Sequence, residues 1–322
     1  MSPRLLPFDP FFKNPHLATI AGNFWKRPQS ELQWPIQTVR YQTEPDAQVQ
    51  VETQVPQNPR AELILVHGLE GSGQSGYICS MAQAALDKSF TVHRFNMRGC
   101  GGTESLALMS YHAGQTSDLL FVLKERRRLS DLPLFLVGYS LGANVVLKLA
   151  GELGEGARGL LAGVGAVSAP IDLSACAHAI GLPENFVYQN RFIARLKDRI
   201  RRKNALAPNV YTLEHLPRVK SIVDFDDYYT ARLFGFGDAE NYFRTQSSNQ
   251  FLDRIAVPAL LVTAKDDPMV PFKVYNHPAF TRNPALRLEA IDHGGHLGFI
   301  SRGNPRFWLD HTILGWMEQQ LS

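Results

Sequence analysis

Six short apolar runs separated by helical patterns predict an α/β fold on a mostly parallel central sheet. The runs are "ELILVHG", "TVHRFNMRG", "LPLFLVG", "LAGVGAVSAP", "VPALLVTAKDD" and "LRLEAIDHGG". Their hydrophobicity is continuous rather than alternating, which suits strands covered on both faces. Helical periodicity fills 77–88, 113–128 and 141–153, and right-handed crossovers then put helices on both sides of the sheet. The third observation is a break in the rhythm. Between residues 170 and 257 there is no comparable run, and the chain is helical in pattern and crowded with aromatic residues. A helical cap insertion over 172–250, seated on top of the sheet, is the expected reading.

Along the chain, the first sixty residues are rich in proline and polar side chains. Phe8, Phe11, Phe12 and Phe24 suggest a segment wrapped over the main body. "IQTVRYQT" and "QVQVETQV" alternate on either side of "EPDA", the pattern of a two-stranded hairpin. The whole chain, 1–322, is expected to form a single domain, with 1–60 as wrap and hairpin and 172–250 as an insertion. With 322 residues, 44% of them hydrophobic, it can bury a sizeable core.

A formal net charge of +3 gives no reason to expect a nucleic-acid partner. Cys79, Cys100 and Cys176 are scattered without CxxC spacing, so neither a disulfide framework nor a structural zinc site is expected, and a reducing cytoplasm fits. Prolines and charges interrupt the first twenty residues where a signal peptide needs an apolar core, and no run is long enough to span a bilayer. One basic cluster, "RLKDRIRRKN" at 195–204, reads first as a solvated helix face and second as a peripheral contact with anionic lipid.

The third run leads into "GYSLG" and then a helical pattern with Val145, Val146, Leu149 and Ala150 on one side. A serine at so sharp a strand-to-helix turn is held out at the carboxyl edge of the sheet, and flanking glycines make room for the close approach. This is a nucleophile elbow around Ser140, with helix N-capping as the bland alternative. A serine hydroxyl needs a base, and the base an orienting acid. "TAKDDPMVP" offers Asp266 and Asp267. Asp267, directly before the proline, fits the usual turn, and Asp266 is offset by one. "IDHGGHLGF" offers His293 and His296, and His296 follows the two glycines that free the loop to present a side chain. The oxyanion needs backbone N–H donors, expected from Leu141 after the nucleophile and from Leu69 in the "HGLEGS" loop. His67 is expected to brace that loop, and Glu70 to point away from the anion site. No metal or cofactor is expected.

With these residues in view, the chain resembles the α/β-hydrolase superfamily, and within it the YheT-like esterases (the AB hydrolase 4 family). The blocks that carry the resemblance are "KNPHLATIAGNFWKR", "LVHGLEGSGQSGY", "FNMRGCGGT" with "YHAGQTSDL", "GYSLGANVVLKLAGE", "VDFDDYYTARLFGFGDAENYF", "KDDPMVP" and "HGGHLGF". They span nearly the whole chain. The resemblance implies an α/β-hydrolase fold, a triad on Ser140, Asp267 and His296, and carboxylic-ester hydrolysis with lipid-like esters among the substrates.

The expected function is therefore a serine hydrolase of carboxylic esters acting through an acyl-enzyme. The acyl pocket is expected among the aromatics of 172–250, with Tyr229 and Phe234 as candidate wall residues. Acyl transfer to an alcohol uses the same acyl-enzyme and is the nearest rival. A non-catalytic binding protein on the same scaffold is disfavoured by the intact set of candidate groups.

Overall fold

The computed structural model describes residues 6–27 and 33–321; residues 1–5 and 28–32 of the expected N-terminal wrap lie outside it. One eight-stranded sheet runs β1-β2-β4-β3-β5-β6-β7-β8. The strands are β1 (Gln37–Glu44), β2 (Ala47–Gln54), β3 (Ala61–Val66), β4 (Phe90–Phe95), β5 (Leu134–Tyr139), β6 (Gly163–Val167), β7 (Ala259–Ala264) and β8 (Leu286–Ile291). β1 and β2 pair antiparallel, β2 joins β4 antiparallel, and the six strands β3 to β8 are parallel. The six apolar runs are these six strands. Every residue of β3, β4, β5, β6 and β7 is buried, which is why those runs do not alternate.

The helices that frame the sheet and its carboxyl edge include α1 (Pro15–Phe24), α2 (Gly76–Asp87), α3 (Ser117–Leu129), α4 (Leu141–Leu153), α5 (Leu173–Ile180) and α6 (Phe186–Leu206). The helical pattern expected from 113 begins only at Ser117. The Ala113 N–H donates to the Tyr242 hydroxyl at 2.8 Å, and its carbonyl accepts from Asn144 Nδ2 at 2.9 Å, so these groups serve tertiary contacts instead of a first helical turn.

β3 lies in the middle of the order. The chain passes from β3 through α2 to β4 on one side, then through α3 to β5 on the other. One face of the sheet packs α2 residues Ile78, Met81 and Leu86 together with Ile313 and Met317 of the C-terminal helix Trp308–Gln319. The other packs Leu119, Val122 and Leu123 of α3 with Val145, Val146 and Leu149 of α4. The crossovers thus diverge at β3 and β5, and such a point leaves a crevice at the carboxyl ends of the strands. The loop after β3 and the turn after β5 are neighbours there.

Between β6 and β7 the chain is helical. α5 and α6 are followed by short helical segments over 222–233 and by the helix Ala239–Gln246. The turn Asp226–Thr230 is π-helical. Among the described residues no helix is long and apolar enough to cross a membrane.

Candidate active site

β5 ends at Tyr139, and α4 starts at Leu141, so Ser140 alone makes the turn. Its backbone takes φ 52° and ψ −123°, a conformation that costs a non-glycine residue about 1–3 kcal/mol and survives only where the surroundings enforce it. The Ser140 N–H donates to Val167 O at 2.8 Å, and the Ala143 N–H donates back to Ser140 O at 2.8 Å. The flanking glycines are dictated by space. A Cβ on Gly142 would stand 2.4 Å from His67 O, and one on Gly138 would stand 2.3 Å from Gly142 O. The hydroxyl does not cap α4, so the helix-capping reading fails.

Three side chains meet here. His296 Nε2 lies 2.9 Å from Ser140 Oγ, and His296 Nδ1 lies 2.8 Å from Asp267 Oδ2. The other carboxylate oxygen, Asp267 Oδ1, accepts from Met269 N–H at 2.9 Å and Val270 N–H at 3.0 Å. Asp267 and His296 are both buried. With a carboxylate on Nδ1, the imidazole carries its proton there and leaves Nε2 as an acceptor for the serine hydroxyl.

Asp266 and His293, the alternatives offset in sequence, form a second pair beside the first. His293 Nδ1 stands 3.2 Å from Asp266 Oδ2. Asp266 Oδ1 accepts from Gly294 N–H at 3.0 Å and Gly295 N–H at 2.9 Å. Asp266 therefore ties down the loop that carries His296, through His293, Gly294 and Gly295.

The loop after β3 lies against the nucleophile: a Cβ on Gly68 would be 3.1 Å from Ser140 Cβ. Beneath it sits His67, fully buried, with Nδ1 2.8 Å from Gly68 O and Nε2 accepting from Met97 N–H at 3.1 Å. Burial lowers its pKa to about 4, so it is a neutral brace. Among the described residues, the N–H groups of Leu69 and Leu141 donate to no protein acceptor. Glu70 turns away from Ser140 and meets Tyr111 and Arg199.

Several residues not singled out as candidate groups in the sequence also shape the site. The His296 N–H donates to Thr19 Oγ1 at 2.8 Å, so α1 packs on the histidine loop. Gly22 permits this approach, since a Cβ there would stand 2.8 Å from Gly298 Cα. Asn144 on α4 ties the elbow helix to Ala113 and to the chain after Ala239–Gln246, where its Oδ1 accepts from Ser248 N–H at 2.8 Å.

Ser140 and His296 border two cavities. One, with about 770 Å³ of empty space including its mouth, is walled by apolar groups such as Leu69, Leu141, Phe192, Ile222, Phe243 and Val270. The other is a larger groove, about 2280 Å³ including solvent at its mouth, bordered by polar groups such as Gln74, Glu104 and Arg191 and by apolar ones such as Phe24, Val187 and Leu297. Tyr229 and Phe234, expected in a pocket wall, line neither. Tyr229 is buried among Ile193, Leu196 and Phe225 and donates to Thr212 O at 3.0 Å. Phe234 packs edge-on against His112, ring centres 4.7 Å apart. Phe192, Phe225, Tyr242 and Phe243 border the apolar cavity instead. The basic cluster is a solvated face only in part: Arg195, Arg201 and Arg202 are exposed. Arg199 and Lys203 are buried, and Lys203 Nζ donates to Ala107 O at 2.5 Å and Glu104 O at 3.1 Å.

A family model described as alpha/beta hydrolase fold matches residues 62–302. The chain is 35% identical over 274 residues to the Escherichia coli (strain K12) protein named "Putative esterase YheT", covering 84% of this chain and 79% of that protein. It is 26% identical over 254 residues to "Phospholipase ABHD3" of Mus musculus, covering 78% of this chain and 61% of that protein. It is 26% identical over 261 residues to "Monoacylglycerol lipase" of Saccharomyces cerevisiae (strain ATCC 204508 / S288c), covering 76% of this chain and 56% of that protein. Among solved structures, the Pyrococcus furiosus esterase Pf2001 superposes with a TM-score of 0.63 at 16% identity, covering 92% of this chain and 98% of that one. At that identity the likeness concerns the fold alone.

Proposed function

The chain belongs to the α/β-hydrolase family, and from that premise we propose that it is a serine esterase working through an acyl-enzyme on Ser140. The observation that carries the reading is the continuous line of contacts Ser140 Oγ, His296 Nε2, His296 Nδ1 and Asp267 Oδ2, at 2.9 and 2.8 Å. Relatives named esterase, phospholipase and monoacylglycerol lipase support an ester as the substrate.

Each step uses the candidate groups described above. Ser140 Oγ attacks the acyl carbonyl while His296 Nε2 takes its proton. Asp267 holds the Nδ1–H tautomer and stabilises the imidazolium that forms. The N–H groups of Leu69 and Leu141 meet the oxyanion as charge develops on it. His296 then gives its proton to the departing alcohol, and later takes one from the water that releases the acid. No step draws on a metal or cofactor.

The two cavities suggest how an ester lies. The apolar cavity suits the acyl chain, because ligand sites are mostly apolar with a few oriented polar groups. The larger groove, lined by both polar and apolar groups, suits the alcohol portion and gives water a route to the acyl-enzyme. The helices between β6 and β7 serve as a cap that supplies most of the apolar wall.

A series of p-nitrophenyl esters from acetyl to palmitoyl tests the reading. Wild-type protein is expected to hydrolyse a band of chain lengths and Ser140→Ala none above background. Equal turnover by the two proteins would end it.

A further inference from the structure

Glu70 directly follows Leu69, and its backbone takes φ 53°. Non-glycine residues occupy that region only where neighbours hold them there. Three groups hold this one. The Glu70 N–H donates to the Tyr111 hydroxyl at 2.9 Å, and that hydroxyl donates in turn to Glu70 Oε1 at 3.0 Å. Arg199 Nη1, from the middle of α6, lies 2.7 Å from the same Oε1, with both charged side chains at 7% exposure or less. Arg195, one turn earlier on α6, reaches Glu70 O from Nη1 at 3.4 Å.

Arg199 is itself clamped. Its guanidinium lies over the Tyr111 ring at 4.8 Å and the Phe225 ring at 5.5 Å. Two cation–π contacts of this kind restrict the freedom of the side chain. A charge pair taken this far out of water has a large desolvation cost and is a weak source of stability for its own sake. It does, however, hold two distant parts of the chain at ion-pair distance. Here it connects the peptide beside Ser140 to a helix inserted between β6 and β7, more than a hundred residues away in sequence.

We propose that Arg199 is a positioning residue for the oxyanion hole: through Glu70 it fixes the Leu69 N–H, so the cap takes part in the chemistry as well as in binding. The proposal rests on the esterase reading above. A loop released from Arg199 has a strained residue with one fewer restraint, and the donor beside it loses its fixed aim.

The test compares Arg199→Met, Arg199→Lys and Glu70→Gln with wild type by steady-state hydrolysis across the acyl series. Loss of one oxyanion donor typically lowers kcat about 100- to 1000-fold, so a misaimed donor should lower it roughly 10- to 100-fold. Arg199→Met and Glu70→Gln should each do so for every chain length; Glu70→Gln, which lies outside the apolar cavity, should leave acyl preference little changed, whereas Arg199→Met also alters that cavity's wall. Arg199→Lys should recover part of the loss, because an ammonium restores charge opposite Glu70. The double variant Arg199→Met with Glu70→Gln should lose no more than the worse single one. Unchanged kcat in either folded single variant overturns the proposal. So does a loss confined to KM and acyl preference, which would make Arg199 only a pocket wall. Glu70→Gln is nearly isosteric and keeps the test decisive should Arg199→Met fail to fold. A wild-type protein that hydrolyses no ester and takes no fluorophosphonate label defeats the esterase reading instead.

Discussion

Thr19 offers the sharpest test of how the histidine loop is held. Its hydroxyl donates to Pro15 O at 2.7 Å and accepts the His296 N–H at 2.8 Å. Thr19 is 7% exposed and His296 8%, so water cannot readily replace the hydroxyl. Thr19→Val keeps the shape of the side chain and leaves the His296 N–H buried without an acceptor. Such an orphan costs about 1–3 kcal/mol. For 322 residues the unfolding entropy is about 0.7 kcal/mol/K, from ~2.1 cal/mol/K per residue, so Tm should fall by roughly 1.5 to 4.5 °C. Activity should fall by a larger proportion. A 1 Å displacement of a catalytic group costs about 100-fold, so kcat/KM should drop roughly 10- to 100-fold. Thr19→Ser, which restores the acceptor, should recover both. The assays are p-nitrophenyl ester hydrolysis and thermal melting on the same preparations. A Thr19→Val protein with wild-type kcat/KM would refute the idea that α1 positions the base.

The geometry also sets three further outcomes. Asp267→Asn should lower kcat about 10⁴-fold, because an amide no longer selects the Nδ1–H tautomer, while Asp266→Asn, which keeps an oxygen for the Gly294 and Gly295 N–H groups, should cost roughly tenfold or less; the reverse order in kinetic assays would reassign the orienting acid. Gly142→Ala should yield little folded protein, since its Cβ would stand 2.4 Å from His67 O and 2.5 Å from Val66 O, both backbone atoms; a soluble, active Gly142→Ala enzyme would contradict the packing at the elbow. Burial raises the Asp226 pKa from 3.8 to about 7, so the folded carboxyl binds its proton more tightly than the unfolded one. Its stabilising contribution is full below about pH 3.8 and is lost as pH rises through about 7. Melting of Asp226→Asn should therefore decline less than wild type between pH 5 and 8.5, and parallel curves would show that Asp226 does not titrate as described.

The sheet is legible in the sequence because its central strands, β3 to β7, are buried on both faces and end in short turns. The candidate groups at Ser140, Asp267 and His296 are legible for a related reason: each sits at a strand end whose turn residues are distinctive. α1 escapes a sequence reading because its pattern is inverted. Leu17, Ile20 and Phe24 face outward, while Ala18, Thr19 and Gly22 face the protein, so hydrophobic periodicity points the wrong way. Arg199 and Lys203 read as solvated because their partners, Glu70 and the carbonyls of Glu104 and Ala107, lie about 100 or more residues away in sequence. Tyr229 and Phe234 stand in a crowd of aromatics, and spacing alone does not tell which of them face a cavity and which fill the insertion's own core. The proline after Asp267 marks it as the orienting acid in sequence, but the duty of Asp266 does not show there, because it binds the Gly294 and Gly295 N–H groups 28 and 29 residues away.

The central claim is that Ser140 is a nucleophile activated by His296. Labelling with a fluorophosphonate, followed by intact-mass and peptide-mass analysis, tests it most directly. One equivalent of label on the peptide containing Ser140 is the expected result, with none taken up by Ser140→Ala or His296→Ala. Folded wild-type protein that takes up no label, or carries it on another serine, would contradict the account.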